Sequence, residues 1–208
     1  MRIKLIGGLA AACLVLAASS GQADAQGAAP AAPQVSYGPP TPGVCVINYE
    51  YLLGGSVVGK YVQQRLQQLG AQAGAELGAE RDQLKADYTT LEGQKATLSA
   101  DELNKRAEAL NARQNTLQEH YQRAQAEMER TRQKAQGTVL DDSRPIILQA
   151  FEQHGCSILL SSEGVIANAP SMDLTPAVVA GLDAKVQSFP FEREHIDPSQ
   201  QGAAPAGR

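Results

Sequence analysis

Leucines recur every seven residues in this chain, and after a short break they do so again. Leu77, Leu84, Leu91 and Leu98 form the first series. Leu103, Leu110 and Leu117, continued by Ala124, form the second. A seven-residue apolar repeat draws one stripe along a helix, and that stripe needs a second helix to cover it. Two series this close together predict a helical hairpin, an antiparallel coiled coil folded back on itself. Ser99-Ala100-Asp101-Glu102 between them fits a capping box. The Ser99 hydroxyl accepts from the Glu102 amide while the Glu102 carboxylate reaches back to the Ser99 amide. Centring the turn between Ala100 and Asp101 sets Leu98 opposite Leu103, Leu91 opposite Leu110, Leu84 opposite Leu117 and Leu77 opposite Ala124. Arms of about 40 residues would reach about 60 Å at ~1.5 Å per residue.

The seam is thin. Glu80, Gln94 and Lys95 stand where apolar residues are expected. Gly70, Gly74, Gly78 and Gly93 each cost about 1 kcal/mol relative to Ala in a helix. The arm should therefore bend. Residues 60–136 carry 12 basic and 11 acidic side chains, the balance of a solvated surface with local ion pairs. Arg123, Arg130, Arg132 and Lys134 cluster late in the second arm, but Glu127 and Glu129 dilute them.

Both ends of the chain read as something other than fold. Arg2 and Lys4 precede an apolar run from Leu5 to Ala18, and Ala23-Asp24-Ala25 is a small-x-small cleavage site. Residues 1–25 thus read as an export signal peptide, too short and wrongly flanked for a membrane span. Cys13 leaves a lipoprotein signal open, although no Leu stands at the usual place before it. Residues 26–43, rich in Ala and Pro, read as a disordered leader, and 190–208 as a disordered tail. No other run approaches the ~20 apolar residues of a spanning helix, so a periplasmic protein without a transmembrane anchor is expected. Cleavage would remove Arg2, Lys4 and Asp24 and leave 16 basic and 21 acidic residues, net −5. That balance argues against nucleic acid as a partner.

A small body flanks the arm, which runs over about 57–142 with its tip near 99–102. Val44-Cys45-Val46-Ile47 reads as a buried strand. Tyr49 to Leu53 reads as a helical turn broken by Gly54-Gly55. Pro145 predicts a break near Ser143-Arg144, with Ser143 capping a new helix to Gln153 that Gly155 ends. Ile158-Leu159-Leu160 reads as a strand, Ser162-Glu163-Gly164 as a turn and Val165-Ile166-Ala167-Asn168 as its hairpin partner. Thr175 should cap a last helix with Pro176 at its first position. The class is α+β. A body of roughly 60 residues is marginal alone, which favours assembly through the strands, with Val44, Val46, Ile47, Ile158, Leu160 and Val165 in the joint core. Cys45 and Cys156 lie in or beside strands. A bridge within or between chains and two buried thiols are equally compatible with their spacing.

No catalytic constellation stands out. His120, His154 and His195 are far apart and lack partners at metal-ligand or triad spacing. Gly54-Gly55 lacks the Lys and spacing of a phosphate loop. No enzyme activity and no cofactor are expected.

The order of strand Val44-Cys45-Val46-Ile47-Asn48, long hairpin, Pro145 helix, Ile158-Leu159-Leu160, Val165-Ile166-Ala167-Asn168 and Asp173-Leu174-Thr175-Pro176-Ala177-Val178-Val179 resembles the Skp/OmpH family of periplasmic chaperones. The resemblance covers most of 44–186, within a chaperone domain expected over 44–189. It implies a homotrimer: a barrel-like β core built from three chains, with three arms enclosing a cavity. It also implies that the cavity holds unfolded outer-membrane proteins and keeps them from aggregating, without nucleotide. The family's type member is notably basic, whereas this chain is acidic. Its grip would have to rest on apolar contacts and enclosure, with Tyr88 and Tyr121 as candidates, although both also suit the seam. A coiled-coil docking protein of the envelope is the alternative reading.

Overall fold

The computed structural model describes residues 36–197. Strand β1 (Val44–Ile47) leads through Asn48, whose side chain accepts from the Tyr51 amide, into helix α1 (Tyr49–Gly55). Ser56 then caps α2 (Val57–Gln94), and a turn joins it to α3 (Ala100–Gln153). Strand β2 (Ile158–Ser161), two 3-10 turns at Ser162–Gly164 and Pro170–Met172, and helix α4 (Thr175–Lys185) complete the body.

The sheet is minimal. β1 and β2 pair in parallel, with Val44 beside Ile158 and Ile47 beside Ser161. The whole α2–α3 hairpin is therefore the crossover between two parallel strands. Val46 of β1 also forms a single parallel bridge with Asp173, and the Leu174 amide donates to the Val46 carbonyl at 2.9 Å. Cys45 and Cys156 are joined as a disulfide, with Cα atoms 5.9 Å apart. Ile47, Leu52, Val58, Val139, Leu174, Val178 and Leu182 are shut off from water. The core thus draws on β1, the roots of both long helices, α1 and α4.

Several sequence expectations change here. Val165–Asn168 is not a strand: Val165 is half-buried and Ile166 fully exposed. β2 finds its partner in β1 instead. The Gly43 carbonyl accepts from the Ser157 and Ile158 amides and sets the parallel register, while the Ser161 hydroxyl accepts from the Glu163 amide and starts a 3-10 turn, so the chain does not reverse into a hairpin. α3 also runs through Pro145 without a break. An interior proline costs about 3 kcal/mol, but Ile146, Ile147 and Ala150 beyond it are all buried. Their burial is worth more than that, at roughly 1.5–3 kcal/mol for each large side chain. Ser143, expected to cap a new helix, is buried, and its hydroxyl donates to the Leu140 carbonyl at 2.7 Å. Thr175 is the first helical residue of α4, one position later than a cap, and its hydroxyl accepts from the Asn48 amide at 2.8 Å.

The tail departs most from expectation. Residues 189–197 pack against the roots of α2 and α3 as a strap without helix or strand, and Ile196 is 8% exposed. The segments expected as signal peptide and, for the most part, as leader, together with residues 198–208, lie outside the described residues.

Candidate binding surface: the arm and its root

The tip forms as the capping box dictates. The Ser99 hydroxyl accepts from the Glu102 amide at 3.3 Å, and a Glu102 carboxylate oxygen accepts from the Ser99 hydroxyl at 2.9 Å and its amide at 3.3 Å. These bonds hold the Glu102 carboxyl below its ordinary pKa, the hydroxyl contributing most. α2 ends at Gln94, short of Leu98, and Lys95–Leu98 forms the turn.

Along the outer arm the leucine seam closes. Leu84, Leu91 and Leu110 are buried, with Leu98, Leu103, Ala107, Leu117 and Tyr88 packed around them. Leu77 is half-buried nearer the root, beside Ala124. The Tyr88 hydroxyl bonds to Asn111 and Gln114 on the facing helix, which makes it a seam residue, and Tyr121 is half-buried.

The polar seam positions form a second ladder. Arg106 donates to Gln94, Arg113 pairs with Asp87, and His120 meets Glu80 at 2.8 Å. On each helix these rungs are seven residues apart and mirror one another across Ala100. Of the residues that look like faults in an apolar heptad, Lys95 pairs with Glu92 beside it, whereas Glu80 and Gln94 are members of cross-arm pairs. Each is exposed, so each adds at most about 1 kcal/mol. Together they fix register more than stability.

The ladder changes below His120. The next rungs would pair Ala73 with Glu127 and Leu66 with Lys134, and an apolar side chain cannot answer a charge. The strap supplies the missing partners. Arg193 lies 3.5 Å from Glu127 and 2.8 Å from Glu76, and Lys134 binds Glu194 at 2.7 Å. Arg65 on α2 forks onto Glu192, and its Nε donates to the Phe191 carbonyl. Phe191 stands edge-on to Tyr61 and packs against Phe189. Phe189, Phe191 and Ile196 in the tail were the available signal for this contact, masked by surrounding Pro, Glu and Arg.

Of the strand residues expected in a joint core, Val46 and Ile47 are buried within the chain itself. Val44 and Val165 are half-buried, whereas Ile158 is 52% and Leu160 41% exposed. Ile166 and Leu148 are also exposed apolar residues. Among the described residues no group of three or more His, Cys, Asp or Glu is placed to hold a metal, and no helix is long and apolar enough to cross a membrane. His154 ends α3, and His195 lies 3.9 Å from Glu127.

Comparison with known proteins agrees with this architecture. A family model described as outer membrane protein (OmpH-like) matches residues 43–182. The chain belongs to the OmpH-like family. A crystal structure from Caulobacter crescentus CB15, assigned as a candidate outer membrane chaperone (OmpH-like), superposes with a TM-score of 0.74 at 39% identity. That match covers 79% of this chain and 97% of the Caulobacter chain. No curated protein sequence matches. The OmpH-like match stops at Leu182, before the strap begins.

Proposed function

We propose that this protein is an ATP-independent holdase of the periplasm. It binds unfolded outer-membrane proteins and keeps them from aggregating in transit. Membership of the OmpH-like family supports a chaperone role in general. The observation that carries the finer reading is the arm: a long hairpin with a thin seam, projecting from a body held by its own disulfide and core. Such an arm offers a large pliant surface and no reactive group.

The working form is a homotrimer. Ile158 and Leu160 expose an apolar face of β2, which among the described residues pairs only with β1, and both that face and its open edge are what another chain covers. Light scattering at micromolar concentration should give three times the chain mass, and a monomer would exclude this assembly. The function is tested by diluting a urea-unfolded outer-membrane β-barrel into buffer with and without the protein. A several-fold trimer excess should suppress turbidity, and unchanged aggregation would refute the reading.

A further inference from the structure

The strap is read largely through its backbone. The Glu194 amide donates to the Thr131 hydroxyl at 2.9 Å, and the Ile196 amide donates to Glu127 Oε1 at 3.1 Å. Thr131 and Glu127 are one turn apart on α3, about 6 Å at ~1.5 Å per residue. Two extended residues span about 6.6 Å at ~3.3 Å each, so residues 194–196 lie extended along the helix. From the other wall, the Arg65 guanidinium donates to the Phe191 carbonyl at 3.3 Å. Backbone contacts of this kind ask for an extended chain more than for a particular sequence. Specificity comes from three anchors: Phe191 against Tyr61, Arg193 between Glu76 and Glu127, and the buried Ile196.

The groove is also incomplete without an occupant. Glu127 and Lys134 stand on rungs where α2 offers only Ala73 and Leu66. Beside Arg193 and His195 lies a cavity of about 220 Å³ that Glu80, His120 and Arg123 also line, and the buried Arg123 Nε has no hydrogen-bond partner among the described residues. Most ion pairs that hold the strap are half open to water. Glu192 is 80% and Lys134 69% exposed, so these pairs hold it only weakly.

We propose that the α2–α3 root is a peptide-binding groove which the strap, residues 189–197, occupies in cis. The partner it fits is an extended segment of unfolded polypeptide carrying an aromatic residue, then a cation, then an aliphatic residue, as Phe191, Arg193 and Ile196 do. Strands of outer-membrane barrels carry aromatic girdles, which supply residues for the Phe191 position. The strap thus acts as a built-in competitor that keeps the groove covered until a client segment displaces it. This inference rests on the client-binding reading above.

The test uses the full chain and a fluorescein-labelled peptide with the sequence of residues 188–197. Arg193→Ala with Ile196→Ala weakens the strap without touching the groove walls. Fluorescence anisotropy should show the peptide binding this variant at least ten-fold tighter than the unaltered protein. Equal affinity for both, or binding to neither, would overturn the proposal. Hydrogen exchange on the unaltered protein gives a reading that needs no variant. The Glu194 and Ile196 amides should be protected, and unfolded barrel protein should speed their exchange at least ten-fold. Unchanged protection with client demonstrably bound would equally overturn it. Peptide binding without aggregation suppression would fault the holdase reading and leave the groove standing.

Discussion

At the residue scale, the Cys45–Cys156 bridge does what no side-chain contact in so small a body can do. The two residues are 111 apart in sequence, and the bridge closes the entire arm into a loop. It ties the strand that enters the arm to the segment that leaves it. Closing a loop of this length removes much of the unfolded chain's freedom, and losing such a bridge typically costs about 2–5 kcal/mol. Cys45→Ser with Cys156→Ser should lower the unfolding free energy from urea titration by that amount, and a value unchanged from the oxidised protein would contradict it. Sequence spacing left this pairing open because it depends on where β2 lies. The parallel β1–β2 register that brings the sulfurs together was hidden behind an expected β2 hairpin.

At the element scale, the sequence exposes helices well where signals are local. The Ser99–Glu102 box, the start of α2 at Val57 and the glycine stop at Gly155 all stand where the sequence puts them. It misleads where tertiary burial outweighs local preference, as at Pro145. The tip also carries a pH dependence. Bonds from Ser99 lower the pKa of Glu102, so its folded-state value lies below the unfolded one. The stabilisation is then present above the ordinary glutamate pKa and fades as pH falls through the depressed value. Acid titration followed by NMR should show the first turn of α3 fraying before the body unfolds. Ser99→Ala should bring that fraying to neutral pH, and an unshifted Glu102 titration would contradict the account. Pliancy of the arm belongs to this scale too. A Cβ at Gly74 or Gly78 would meet nothing within 4 Å. Gly74→Ala with Gly78→Ala should therefore stiffen α2 and stabilise it by roughly 0.5–1 kcal/mol each, read as slower amide exchange around them.

At the scale of the whole molecule, the hairpin and its family were legible in the heptads and in the strand and helix at either end. The strap was not, because a tail rich in Pro, Glu and Arg has the composition of a disordered segment. Its order comes from partners more than 50 residues away, Glu127, Thr131 and Lys134, whose need for company shows only once the rungs are drawn. The same ladder bears on how the proposed clients would be held. The arm's polar side chains largely answer one another, with Gln94, Asp87 and Glu80 matched to Arg106, Arg113 and His120. The sequence carries a net charge of −4, so the molecule has no excess of cations to draw in acidic clients. If enclosure and apolar contact do the holding, screening should matter little. Raising salt from about 50 to 300 mM shortens the Debye length from roughly 14 to 6 Å and suppresses long-range attraction between exposed charges. Affinity for an unfolded barrel, measured by fluorescence titration, should change less than about three-fold across that range. A fall of ten-fold or more would show that charge attraction, against the balance of this sequence, supplies the grip.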